Sequence, residues 1–331
     1  MSFDTLYMQM ALDEAWKYQG LTYPNPAVGA VVVESGRLVS VAAHHKAGTS
    51  HAEVHALISA YESLSGHSVT FDPMDAAEAH QFLRTLPENF FQKCTIYVTL
   101  EPCAHEGKTP SCAGLLARLK LARVVIATGD PVKGHDGGMQ QLDHVTFGVL
   151  QEKAEELLEP FKIWQKRAFV LFKLAQTANG RIGGGYLSAK SSLQHVHQLR
   201  AVCSTLLIGG NTVREDRPTL DCRFTGDPAP DIVIYSRQDQ CDRTIPLFSV
   251  EERTVEVTDT LKFLDKPSFV MVEGGEGMLA ALKEKIDWVL FYQTPKLSTN
   301  PLSYNVAMHL AYLHQRKMDV DLMIWSKNLG N

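Results

Sequence analysis

Four side chains of this 331-residue chain are of the types that hold a metal ion and move a proton beside it: His51, Cys103, Cys112 and Glu53. One imidazole and two thiolates make three soft zinc ligands, an arrangement that leaves the fourth position to water. Zinc lowers the pKa of that water and makes it nucleophilic near neutral pH. Glu53 follows His51 by two residues, close to the metal without having to bind it, where a general acid/base belongs. The chemistry expected is hydrolytic, with Zn2+ as cofactor. Taken singly, each residue reads more simply as a buried thiol or a helical histidine. The four together, in this order and with Pro102 before Cys103, carry the catalytic reading.

Nucleobase zinc deaminases use H-x-E followed by P-C-x-x-C. Here eight residues, Ala104 to Ser111, separate the cysteines. The run Thr99-Leu100-Glu101-Pro102-Cys103-Ala104-His105-Glu106-Gly107-Lys108-Thr109-Pro110-Ser111-Cys112 resembles the deaminase half of the bifunctional riboflavin-biosynthesis deaminase/reductase family, which carries a long spacing with a His and a basic residue inside it. The resemblance implies a cytidine-deaminase-like α/β/α layer domain. It also implies substrate contacts at Asn25 (in Pro24-Asn25-Pro26), His44, His105, Lys108 and Asp130. Where the family tends to have Asn, this chain has Val132.

The second half is similar to the reductase half of the same family. There a strand lysine, here Lys173, precedes Ser-x-Asp-Gly-(Lys/Arg)-Ile-Ala; this chain has Asn179 at the Asp position, and its segment Gly183 to Ser188 is shorter and lacks the usual Trp-Ile-Thr. Downstream the pattern is filled: Gly209-x-x-Thr212, then Asp216-x-Pro218-Thr219-Leu220 and Arg223. The resemblance implies a dihydrofolate-reductase-like α/β domain with NADPH as cofactor, approached by Ala175, Gly209, Thr212, Gly274 and Gly275. Ser188, Arg200, Thr219, Leu220, Arg223 and Glu273 become substrate contacts, and Lys173 and Asp216 become catalytic groups. A guanidinium fork suits the ribose phosphate. Phe269 to Leu282 reads as strand, glycine turn and helix, a weak phosphate-approach signal by itself.

The elements that must position these groups follow from pattern. His51 and Glu53 open a helix over Ala52 to Ser63, with Ser50 as candidate N-cap. Residues 29–42 read as a hairpin turned at Ser35-Gly36. Thr95 to Thr99 is a strand delivering Glu101-Pro102-Cys103, and Ser111-Cys112 opens a further helix. Alternating strands and helices imply α/β layers. The expected organisation is a deaminase domain over 1–150, a linker helix over 151–168 and a reductase domain over 169–331. About 66–93 looks like an insertion relative to the family; Asp75 to Leu86 within it has helical composition, and its His67 and His80 are not expected to be ligands.

Bulk properties agree with a globular enzyme. The length suggests about two domains. Hydrophobic residues make up 45% and charged residues 21%, with net charge -5, which offers no basic footprint for nucleic acid. No apolar run is long enough for a bilayer, and the first residues lack a secretory pattern, so a cytoplasmic enzyme with reduced thiols is expected. Cys94, Cys203, Cys222 and Cys241 then read as free thiols. The partners expected are small phosphoribosyl pyrimidines, with neither nucleic acid nor membrane; a homo-oligomer is compatible with the sequence. Rival readings are a deaminase whose reductase-like domain is inactive or altered, a tRNA or nucleoside deaminase with an appended domain, and a structural zinc module whose site a fourth protein ligand closes.

Overall fold

The computed structural model describes residues 2–104, 110–132, 136–183, 185, 187–238 and 241–330. The chain divides into two compact units, Met1–Lys162 and Ile163–Asn331.

The first unit runs α1 (Phe3–Trp16), β1 (Gly29–Glu34), β2 (Arg37–Ala43), α2 (Ala52–Ser65), α3 (Ala76–Thr85), β3 (Cys94–Val98), α4 (Cys112–Leu119), β4 (Arg123–Ile126) and β5 (Val145–Phe147), and the chain enters α5 (Gln151–Trp164). The sheet order is β2-β1-β3-β4-β5. β1 pairs antiparallel with β2 and β3, while β3, β4 and β5 run parallel. Ser35 and Gly36 turn the hairpin with φ of 49° and 83°, the pair of positive values that matches strand twist in a two-residue turn. Alternation along β1 sends Ala30 and Val32 into one core with Leu57 and Ile58 of α2, Leu83 of α3 and Leu115 of α4. Each large aliphatic side chain buried this way stabilises the unit by roughly 1.5–3 kcal/mol. α1 packs directly on β1: a Cβ at Gly29 would lie 1.9 Å from the Ala11 carbonyl oxygen, so only glycine allows that approach.

Two local expectations are refined. The stretch 66–93 does carry a helix, α3, capped by the Asp75 side chain accepting from Ala77 and Glu78 N–H. Ser50, however, does not cap α2: His51 holds the N-cap position, and the Ser50 hydroxyl instead donates to the Pro73 carbonyl at 2.8 Å. The carbonyl outcompetes the helix N–H groups because Pro73 and Met74 come back beside Ser50.

The second unit runs β6 (Ala168–Thr177), α6 (Lys190–Val202), β7 (Thr205–Gly209), α7 (Gly210–Asp216), β8 (Asp231–Tyr235), β9 (Val255–Thr258), β10 (Ser268–Glu273), α8 (Glu276–Leu282), β11 (Trp288–Thr294), β12 (Leu310–Met318) and β13 (Asp321–Asn328). Its eight-stranded sheet has the order β12-β13-β11-β6-β10-β7-β8-β9. β11 through β9 are parallel to one another, and β13 and β12 add antiparallel pairs at one end. β6 is therefore an interior strand, flanked by β11 and β10. Phe172, Val270, Val272 and Val289 pack on Met278, Leu279 and Leu282 of α8. In such sheets ligands gather beyond the carboxyl ends of the strands, where Gly209, Glu273 and Thr177 sit.

Candidate active sites

In the first unit, two helix starts and a strand end converge. α2 brings His51 and Glu53, the segment after β3 brings Cys103, and α4 opens on Cys112, with Ser111 as N-cap accepting from Gly114 N–H. His51 Nδ1 lies 3.8 Å from Cys103 Sγ and 3.4 Å from Cys112 Sγ. All three donor atoms fall within 4.8 Å of one another. A tetrahedral zinc with ordinary Zn–S and Zn–N bonds separates its donors by about 3.5 Å, so the donor set fits that ion. Among the described residues this is the sole such cluster of three.

Electrostatics agrees with the assigned roles. The Cys103 thiol is held down to about 4, first by the hydrogen bond from Cys112 and then by the one from His51. Glu53 is buried on the first turn of α2, and burial pushes its carboxyl above the usual range, with His51 opposing. A carboxyl raised in this way is suited to exchanging protons near neutrality. His44 is buried; burial and then the neighbouring His51 push it down to about 4, so it is neutral. Its Nδ1 meets the Ser50 carbonyl at 3.0 Å, and its Nε2 meets Asn25 Nδ2 at 3.1 Å. A carbonyl can only accept, so Nδ1 carries the proton and Asn25 donates to Nε2. The two predicted substrate contacts are thus brought together.

Glu101 ties down the segment that follows β4. Its Oε1 accepts from Gly137 and Met139 N–H at 3.0 Å each, and its Oε2 accepts from Asp130 N–H at 3.3 Å. It therefore fixes the loop that carries Asp130. His105 and Lys108 lie outside the described residues.

In the second unit, Lys173, Glu273 and Arg200 form one half-buried cluster. Lys173 Nζ is 2.9 Å from Glu273 Oε2, and Arg200 Nε is 2.7 Å from Oε1. Burial alone would raise the Glu273 carboxyl, but Arg200 and then Lys173 hold it far below the usual carboxylate range. Asp216 is exposed at the end of α7, while the lysine's partner is Glu273. Leu220 is buried with φ of 55°, and Arg253 braces its turn by donating to the Leu220 carbonyl at 2.8 Å and the Thr219 carbonyl at 2.7 Å. Arg223 is paired locally with Asp221 at 2.8 Å. Ser188 and Ala175 are half-buried.

Asn179, the departure from the family's Asp, has a structural account. Its Oδ1 accepts from Thr177 Oγ1 at 2.7 Å and from Ser298 N–H at 3.1 Å, and its Nδ2 donates to the Ser298 carbonyl at 2.9 Å. An aspartate lacks the last donor, so the amide is what this loop pairing requires.

A cleft of about 890 Å³ opens beside β7 and α8, lined by Gly209, Gly210, Thr212, Arg214, Arg237 and Gly275 among others. Gly209, Gly210, Gly275 and Gly277 belong to its lining. A Cβ at Gly210 would sit 2.7 Å from Ser236, and one at Gly209 would sit 2.8 Å from Met278. Such a glycine-lined cradle beside two arginines fits a phosphate-bearing dinucleotide. Gly209, Thr212 and Gly275, expected beside the cofactor, all line this cleft. Gly210, Arg214, Ser236 and Arg237 also line it and were not singled out from sequence, since Ser-Arg after a strand is too common a pattern.

Residues 1–128 match the cytidine and deoxycytidylate deaminase zinc-binding region, and residues 168–298 match the RibD C-terminal domain. The riboflavin biosynthesis protein RibD of Aquifex aeolicus is 33% identical over 372 aligned residues, covering 99% of this chain and 95% of that protein. The chain belongs to the RibD family. The RibD of Synechocystis sp. is 33% identical over 249 residues, 72% of this chain and 60% of its own length. The solved structure of a diaminohydroxyphosphoribosylaminopyrimidine deaminase/5-amino-6-(5-phosphoribosylamino)uracil reductase from Thermotoga maritima is similar at a TM-score of 0.68 and 26% identity, covering 98% of this chain and 99% of that one. An Acinetobacter baumannii RibD structure shares the fold at a TM-score of 0.66 and 24% identity. As in those RibD proteins, a deaminase region precedes a reductase region, so the α/β class expected for both halves holds. No helix among the described residues is long and apolar enough to cross a membrane.

Proposed function

We infer that this RibD-family protein catalyses two consecutive steps of riboflavin synthesis. The first is hydrolytic deamination of 2,5-diamino-6-(5-phosphoribosylamino)pyrimidin-4(3H)-one, and the second is NADPH-dependent reduction of the resulting ribosylaminouracil to its ribityl form. The observation that carries the reading is the convergence of His51 Nδ1, Cys103 Sγ and Cys112 Sγ beside the buried Glu53.

His51, Cys103 and Cys112 hold zinc, which when bound acidifies water for attack on the amino-bearing carbon. Glu53 moves the protons: its carboxylate accepts one as water adds, then returns it to the departing amine, so that water enters and ammonia leaves. Asn25 and neutral His44 orient the pyrimidine, and Glu101 holds the loop that presents Asp130 to it. In the second unit NADPH supplies hydride when bound in the glycine-lined cleft. Lys173 and Arg200, both anchored on Glu273, set cationic donors against the ribosyl phosphate chain. Thr219, Leu220 and Arg223 complete that contact, with Ser188 at its edge, and Asp216 reaches the sugar hydroxyls once substrate is bound. Ala175 approaches the cofactor. His105 and Lys108 add polar contacts to the deaminase substrate.

The protein is read as a cytoplasmic enzyme of free small molecules, in keeping with its net charge of -5. The test follows ammonia release from the zinc-loaded protein and the diaminopyrimidine phosphate without NADPH, then NADPH oxidation after its addition. Ammonia followed by oxidation supports both steps. Ammonia alone removes the reductase half, and no ammonia from zinc-replete protein removes the riboflavin reading.

A further inference from the structure

The stretch 66–93, to which the family resemblance gives no role, reaches the deaminase centre. Ser50, fully buried beside His51, is gripped twice by it: Ser50 N–H donates to the Met74 carbonyl at 3.1 Å, and its hydroxyl donates to the Pro73 carbonyl at 2.8 Å. The Ser50 carbonyl in turn accepts from His44 Nδ1 at 3.0 Å, and His44 Nε2 accepts from Asn25 Nδ2 at 3.1 Å. One chain of hydrogen bonds thus runs from the inserted segment to the amide of Asn25. α3 follows immediately, capped by Asp75, and joins Leu83 to the core that α2 and α4 share. His80 of α3 is buried there, where His51 and Cys103 both act on it electrostatically.

We propose that the inserted segment is a positioning element of the deaminase site: through Ser50 it fixes the Nδ1–H tautomer of His44 and so turns the Asn25 side chain with its nitrogen toward His44 and its carbonyl oxygen toward the pyrimidine. The consequence is specificity. An amide held by its nitrogen presents an acceptor, which selects a ring edge that donates, such as the amino group of the diaminopyrimidine, over one that only accepts. The uracil product has a carbonyl where that amino group stood, so the same orientation disfavours product rebinding. This rests on the deaminase reading above for the ligand's identity but not for the tautomer.

Two measurements separate those parts. The first is the ¹⁵N spectrum of the His44 imidazole in the zinc-loaded full-length protein. Wild type shows Nδ1–H alone, and Ser50→Ala shows both tautomers. Ser50→Cys, close in volume and still a donor, stays with Nδ1–H. The second is substrate affinity in a Glu53→Gln background, where the diaminopyrimidine phosphate binds without turnover. There Ser50→Ala weakens binding by about tenfold, the scale of one lost hydrogen-bond anchor. The same change has no further effect once His44→Gln is present, as coupled residues require. An unchanged tautomer in Ser50→Ala overturns the proposal whatever the ligand. So does full additivity with His44→Gln, or loss of zinc on Ser50→Ala, which would place the effect on His51. Absent substrate binding with a tautomer that responds as expected would instead fault the substrate assignment and leave the clamp standing.

Discussion

Lys173 and Glu273 face each other from adjacent parallel strands, paired in register, with Nζ 2.9 Å from Oε2. Arg200 holds the other carboxylate oxygen from α6. Two cations share that one half-buried carboxylate, which therefore anchors both. Removing one member of such a group leaves charge uncompensated at a cost of about 3–5 kcal/mol. Glu273→Gln is expected to lose NADPH oxidation and to destabilise the second unit on that scale, while ammonia release continues. Denaturant unfolding and the two activity assays check it.

The same carboxylate makes a pH prediction. Its folded pKa lies below its ordinary value of 4.5. The unfolded chain therefore takes up the proton first as pH falls. The stabilisation is fully present above the ordinary value and is lost progressively below it. The stability gap between wild type and Glu273→Gln should narrow between about pH 5 and about pH 3. A gap that stays constant would mean that the carboxylate is not held by Lys173 and Arg200.

Glu53 lies beside the donor cluster without belonging to it. Glu53→Gln should lower ammonia release by about 10²–10⁴, the usual contribution of a general acid/base. Zinc content by elemental analysis should not change. Loss of the metal along with activity would make Glu53 a ligand instead.

Cys112→Ser removes a zinc ligand from the first turn of α4, where the donor is fully buried. Expected outcomes are loss of zinc, loss of ammonia release and a lower melting temperature, since metal binding stabilises the folded unit. Reduction of separately supplied ribosylaminouracil should survive. A chelator applied to wild type should reproduce all four results.

Gly275 and Gly274 separate packing from cofactor approach. A Cβ at Gly275 meets nothing within 4 Å, whereas one at Gly274 would press on Met278 at 2.7 Å. Gly275→Ala is expected to leave the melting temperature unchanged and to weaken NADPH binding by about tenfold or more, because only the approaching cofactor would meet the new methyl group. Gly274→Ala should lower both. Titration of NADPH fluorescence alongside thermal unfolding distinguishes the two.

What the sequence determined by itself was chemistry and local form. Ligand types at His51, Cys103 and Cys112, a carboxylate two residues after the histidine, a hairpin at Ser35-Gly36 and a helix opening at Ser111 are all short-range statements, and spacing along the chain is enough to make them. The roles of single polar residues were legible only through the family resemblance. Tertiary structure decided the long-range pairings. Ser50 looked like a helix cap, because a Ser just before a helix usually is one; a carbonyl from Pro73, brought back by the segment between α2 and α3, took its hydroxyl instead. Glu273, one hundred residues after Lys173 in the chain, became its partner because β10 lies beside β6 in register. Arg253 and Arg237 carried no local signal at all, since what they brace or line is assembled from strands far apart in sequence. Local propensity acts over a few residues, whereas a buried charge or donor must find its partner wherever the fold brings one.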